Sequence, residues 1–278
     1  MSNMIINPKY EKMKKEVKQL KEDVANLYEE KDELIYHVCK NIEAEYMSKV
    51  GILEYKLYEF QCKILRIKRK IELYQAKINR QEEPNEEEIE KKLEQEYKEY
   101  EEKLKTMSDN IQILMERKNG SILDEENKVE LKSTYRKLIK KLHPDLNKEN
   151  SDKNKKLLLQ VTKAYENGDL ETLRNLELLC SEIVEKDEIE ESEMEELIKQ
   201  KEKYTIIIKD LLKRIMKIKE SFPYNKQEFL KSEALIQENK DDLNNRIDMC
   251  KNLYSNLEEL LKKVKGEWDG RYYKNRWW

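Results

Sequence analysis

Turn-forming residues are scarce. Five glycines and four prolines are spread over 278 residues, too few for the many turns of a β-sandwich or barrel. Phenylalanine is nearly absent at three, whereas tyrosine reaches 16, and tyrosine suits positions that are half apolar and half wet. Four cysteines, Cys39, Cys62, Cys180 and Cys250, stand far apart with no CxxC and no cysteine–histidine cluster. That spacing excludes a disulfide framework and a thiolate metal site, and it is read as scattered reduced thiols. No uncharged run approaches the ~20 residues of a membrane span, and the opening MSNMIINPKYEKMKK has no apolar core for a signal peptide. A cytoplasmic protein without membrane attachment is expected. The formal net charge of −3 does not describe a polycation, so nucleic acid is not an expected partner.

What is abundant is charge, 41% of residues, set between apolar residues at helical spacing. The apolar positions Met13, Val17, Leu20, Val24 and Leu27 follow the alternating fours and threes of a heptad seam. From Leu34 the steps become fours, through Val38, Ile42, Tyr46 and Val50, which swings the stripe around the helix as a stutter does. Gly51 lies there as a weak spot. The seam resumes over Leu53, Leu57, Phe60, Ile64, Ile67, Ile71, Tyr74 and Ile78. QEEPNEEE breaks it, and a new stripe runs from Ile89 through Leu93, Tyr97, Tyr100, Leu104, Met107 and Ile111 to Leu114. Two stripes of about 25 residues, ~38 Å each as helix, joined by a short turn, predict an antiparallel hairpin. After an acidic connection at 182–193, Met194 to Phe222 carries another stripe. SFPYN interrupts it, and Leu243, Ile247, Cys250, Tyr254, Leu257, Leu261 and Val264 form the last. A second hairpin is expected there. The stretch 8–50 has no partner within its own hairpin. Its partner is either the second hairpin or another copy of the chain, since a heptad stripe does not name its partner.

The centre of the chain differs. Leu131, Tyr135, Leu138 and Leu142 share one helical face, and Lys132, Arg136, Lys137, Lys140 and Lys141 cover the rest. Pro144 forbids further helix and pushes His143 toward extended backbone. His143-Pro144-Asp145 is therefore a rigid corner that opens a polar loop, with Asp145 expected at its tip. Leu158, Val161, Ala164 and Tyr165 mark a second helix, stopped by Asn167-Gly168. Asp169 is placed to cap a third, with Leu170, Leu173 and Leu176.

These residues resemble the J-domain of DnaJ-type co-chaperones. Tyr135-Arg136-Lys137-Leu138, Lys140-Lys141-Leu142 and His143-Pro144-Asp145 look like the family's second helix and signature tripeptide. The AY helix around Ala164-Tyr165 looks like its third. The resemblance covers about 121–180 and departs from the family pattern. In place of a first helix with a tyrosine and a leucine only Ser121-Ile122-Leu123 is seen, so that helix is either absent or replaced in packing by Ile111, Leu114 and Met115. The Gly/Phe-rich linker and the CxxCxGxG zinc repeats are missing, so no zinc or other cofactor is expected.

The resulting expectation is all-α, with long antiparallel coiled-coil hairpins flanking a small J-domain-like unit. The divisions are 1–118 with a turn near 80–85, 119–181, 182–266 with a turn near 221–225, and a tail at 267–278. The resemblance implies that the unit docks on a DnaK-type ATPase and accelerates its ATP hydrolysis. Asp145 would carry the specific contact, Pro144 would fix its geometry, His143 would hold the loop by a hydrogen bond, and Lys132, Arg136, Lys137, Lys140 and Lys141 would form an attractive basic face. The coiled coils would hold a client, and a homodimer through 8–50 is one outcome for the unpartnered stretch. No catalytic residues are expected, for want of a phosphate loop, triad or metal cluster. A structural scaffold whose J-like unit is inactive is the alternative. In the tail, Trp268, Arg271, Tyr272, Tyr273, Trp277 and Trp278 mix aromatics with cations. That mixture either caps the bundle, meets a protein partner or stacks on bases.

Overall fold

The computed structural model describes residues 8–119, 124–147, 151–180 and 194–274, and among these no strand occurs. The protein is all-α. The chain divides into two compact units, Met1–Ile42 with Gly120–Asn225, and Glu43–Asn119 with Lys226–Trp278. No described helix is long and apolar enough to cross a membrane.

Helix α1 (Pro8–Glu33), α2 (Cys39–Tyr46) and α3 (Ile52–Asn79) follow one another with helical turns between them. The joins are π-turns at Leu34–Val38 and Met47–Gly51. In each the backbone N–H reaches back five residues, Cys39 to the Leu34 carbonyl and Ile52 to the Met47 carbonyl. A π-turn absorbs one extra residue. The run of fours from Leu34 to Val50 is where the spacing departs from the heptad, and this is how the backbone accommodates it. The Met47 side chain lies where a methyl on Gly51 would stand.

In the first unit, α1 packs against α5 (Glu125–Leu142) and α8 (Met194–Glu220), while α5, α6 (Asp152–Glu166) and α7 (Leu170–Leu179) pack mutually. Their shared core holds Val17, Val24 and Ala25 of α1, Tyr135, Leu138 and Leu142 of α5, Val161 and Tyr165 of α6, Leu173 of α7, and Leu197, Tyr204 and Leu211 of α8. Ion pairs Glu16–Lys201 and Glu30–Lys219, both 2.8 Å, rise together along the two helices, so α1 and α8 run parallel.

In the second unit, α3 and α4 (Glu86–Asn119) form the expected antiparallel hairpin. Gln81 takes the turn in a left-handed conformation at φ 60°, and the Asn85 side chain caps α4 by accepting the Glu88 N–H at 3.1 Å. Ile67, Ile71, Tyr74 and Ile78 meet Ile89 and Leu93, and Val264 of α10 (Glu233–Lys274) joins them. Lys49 lies 4.0 Å from Glu233, and Lys265 sits 5.0 Å over the Tyr74 ring. These contacts make α3 and α10 parallel.

The expected C-terminal hairpin is therefore corrected. The break at 221–232, which holds the short helix α9 (Gln227–Leu230), separates α8 and α10, and each packs on a part of the N-terminal helical run. The seam spacing was compatible with either partner. The apolar face of α1 is likewise covered within the chain, by α5 and α8.

Leu93 is fully buried between α3 and α4. Leu93→Ala is expected to cost roughly 2–5 kcal/mol through lost contacts and a residual cavity, read as a lower urea midpoint.

Candidate functional site

The site is built from the C-terminal end of α5. Asp124 starts that helix, its side chain accepting the Asn127 N–H at 2.8 Å. Tyr135, Leu138 and Leu142 are buried and anchor the helix on α6 and α7. On the surface, Glu130 grips Arg174 of α7 through both carboxylate oxygens at 2.7 and 2.6 Å. The helix stops as the sequence requires: His143 is extended, at φ −71° and ψ 131°. The chain then folds back on itself. Leu146 N–H donates to the His143 carbonyl at 3.0 Å, Asp145 N–H donates to His143 Nδ1 at 3.2 Å, and Asn147 Nδ2 donates to the Lys140 carbonyl at 3.0 Å. His143 thus holds the loop through its ring. At the other end of the unit, Gly168 adopts φ 68° and the Asp169 side chain caps α7 from Thr172 N–H at 2.9 Å.

Asp145 does stand at the tip, with 40% of its side chain exposed. It does not stand free, which corrects the expectation of a protruding carboxylate. The Tyr28 hydroxyl of α1 donates a short hydrogen bond to Asp145 Oδ2, and the Tyr28 ring lies 3.8 Å from the His143 ring. Lys203 of α8 donates to the Asp145 carbonyl at 2.8 Å. Burial, and next the bond to Asp145, push the Tyr28 phenol well above its ordinary range, so it remains a donor.

The basic residues fall into two sets. Lys132, Arg136 and Lys140 recur every four residues and face α1. Lys132 pairs with Glu33 at 2.9 Å, Arg136 reaches Asn26 at 3.4 Å, and Lys140 pairs with Glu22. Numbers rise on one helix as they fall on the other, so α1 and α5 are antiparallel. Lys137 and Lys141 face the other way, to Glu177 at 3.0 Å and to the Cys180 carbonyl at 3.3 Å. Arg136, Lys137, Lys140 and Lys141 still line a groove of ≈ 260 Å³ with Glu22 and Glu177.

Residues 121–167 match the DnaJ domain family. The chain carries a J-domain within a larger protein. No curated protein and no solved structure matches the chain. The J-domain implies a DnaK-type partner in general terms. Its helices are α5 and α6, with α7 packed beside them.

The packing role considered for Ile111, Leu114 and Met115 is taken by Val17, Val24 and Ala25 of α1. Sequence reasoning had no signal for Tyr28, Asp32 or Glu33 as neighbours of the J-domain, because each is roughly a hundred residues or more from the side chains it meets. Ser121, Ile122 and Leu123 lie outside the described residues. So do Trp277 and Trp278, and the side chains of Trp268, Arg271, Tyr272 and Tyr273 at the end of α10. Among the described residues no three His, Cys, Asp or Glu side chains converge as metal ligands.

Burial holds the His143 imidazole below its ordinary 6.5, although Asp145 pulls it the other way. A neutral Nδ1 is what the Asp145 N–H bond needs. The folded corner binds a proton less readily than the unfolded chain, so this contribution is complete above pH 6.5 and is lost as pH falls through the depressed value. The ring NMR signal that vanishes in His143→Gln is expected to titrate below pH 6.5. A midpoint at or above 6.5 would contradict the burial argument.

Proposed function

We propose that the protein is a J-domain co-chaperone. It engages a DnaK-type ATPase through the basic face of α5 and the His143-Pro144-Asp145 corner, and it accelerates that partner's ATP hydrolysis. The observation that carries this reading is the coincidence of the DnaJ domain match with a stiff corner that keeps a carboxylate partly open to solvent at the end of a basic helix. A carboxylate held by Pro144 and by its own backbone bond to His143 is suited to a charge-assisted hydrogen bond with a cation such as arginine. Lys132, Arg136, Lys137, Lys140 and Lys141 supply attraction to an acidic surface and a salt-sensitive on-rate. None of these groups needs to make or break a bond. The protein regulates another enzyme and has no catalytic residues of its own.

The long helices serve as the arms that hold a client or a partner, with the aromatic and basic residues of 268–278 as a further contact. The reading places the protein in the cytoplasm, with its chaperone. A second reading has one observation in its favour. Asp145 is already bonded to Tyr28, as it would be in a scaffold whose J-domain serves only as a folded spacer.

Single-turnover ATP hydrolysis by the host's DnaK-type chaperone separates the two. The purified protein is expected to raise the rate, and Asp145→Asn to abolish the rise with helix content unchanged by circular dichroism. Equal rates with both proteins, or no rise with either, would favour the scaffold. The stimulation is also expected to weaken as salt is raised from about 50 to about 300 mM, across which the Debye length falls from about 14 to about 6 Å.

A further inference from the structure

The groups that the co-chaperone reading assigns to the partner are in large part already in use. Lys132, Arg136 and Lys140 face Glu33, Asn26 and Glu22 along one side of α1. Asp145 accepts from Tyr28 of the same helix. His143 is covered by the Tyr28 ring, and Lys203 of α8 holds the Asp145 carbonyl. Positions 22, 26, 29 and 33 of α1 are spaced by fours and threes, which sets Glu22, Asn26, Glu29 and Glu33 on one helical side. That side is acidic, amphipathic and antiparallel to α5. In charge and placement it offers α5 what an acidic docking surface would offer.

We propose that α1 is a built-in competitor for the J-domain's partner, so that the chain as folded is held in a low-activity state and a DnaK-type ATPase must exchange with α1 at α5 and Asp145. The proposal rests on the co-chaperone reading. The contacts to be exchanged suit a reversible clasp. The Lys132–Glu33 and Lys140–Glu22 pairs are partly exposed and the Arg136–Asn26 contact is exposed, and contacts of this kind are individually weak and screened by salt. Asp145 gives up one hydroxyl donor and receives a charged one. Val17, Val24 and Ala25 of α1 are buried in the core that α8 shares with the J-domain, and α1 also packs along α8, so α1 stays in place while its acidic side from Glu22 to Tyr28 yields. A partner that binds only the open form sees its affinity reduced by the fraction of chains that are open.

The test loosens the clasp without touching α5 or the corner. In the full chain, Tyr28→Phe combined with Glu22→Gln keeps the ring on His143 and the shape of both side chains. Asn26→Lys, at an exposed position, sets a cation against Arg136 and pushes in the same direction. Circular dichroism checks that each variant is folded. Hydrogen exchange in the peptide covering 131–147 is expected to quicken in both variants with no chaperone present. The concentration for half-maximal stimulation of the DnaK-type ATPase is expected to fall about fivefold, on the scale of a weakened ion pair and one lost hydroxyl hydrogen bond. Adding Asp145→Asn is expected to remove the stimulation from every variant. A folded variant whose half-maximal concentration equals or exceeds that of the wild type would overturn the clasp and leave the co-chaperone reading standing. Silence from the wild type that the variants break would support both. Silence from all three would overturn the co-chaperone reading itself, and the clasp with it.

Discussion

Two stacked tyrosines set the position of α1. The rings of Tyr135 and Tyr165 lie 3.9 Å apart and 11° from parallel, joining α5 to α6 at the centre of the J-domain. Their hydroxyls leave the core side by side and end on adjacent carboxylates of α1, Asp32 at 2.7 Å and Glu33 at 2.6 Å. A hydrogen bond from a buried hydroxyl to a carboxylate contributes roughly 1.5–3 kcal/mol, and leaving either group unmet costs a similar amount. Burial and the neighbouring carboxylates push both phenols upward, so the donors keep their protons. Asp32 is itself buried and also meets Lys31 at 2.9 Å. These bonds are directional, whereas the surrounding apolar contacts are not. They fix the register in which α1 lies on α5, and every contact at Asp145 and the basic stripe follows from that register.

The contrast between these bonds and the surface pairs explains why the same interface can be both specific and yielding. Lys132–Glu33 and Lys140–Glu22 are partly exposed and contribute about 0–1 kcal/mol each. They lie toward one side of α1, over the face that a partner would use. The tyrosine–carboxylate bonds and the burial of Val24 and Ala25 lie deeper. The J-domain is thus coupled firmly to α1 at one end of the helix pair, near Asp32, and loosely along the charged stripe toward Glu22.

Much of this was legible from sequence where the signal was local. Pro144 ended α5 and set His143 extended, Gly168 took a left-handed conformation, Asp169 capped α7, and the loop at Pro84–Asn85 turned α3 back onto α4. Each depends on residues within about four positions of one another. The departure from heptad spacing at 34–50 was visible too, although not its form as two π-turns. The pairing of α8 and α10 was not legible, because the stripe on 194–222 fits α1 as well as it fits a neighbour in sequence. Nor was the clasp on Asp145. Tyr28 falls on a helix with an ordinary mixture of charge and leucine, and only the fold brings it across 117 positions to the corner.

The parallel pairing of α1 with α8 has a consequence for how the molecule is made. The seam of α1 ends near Glu33 and its partner begins at Met194, roughly 160 residues later. At translation rates of about 5–20 residues per second, α1 waits on the order of ten seconds or more for α8. The J-domain is synthesised within that interval and reaches the ribosome exit before α8 does. During biogenesis the corner is therefore presented to the cell before α8 arrives to complete the core beside it.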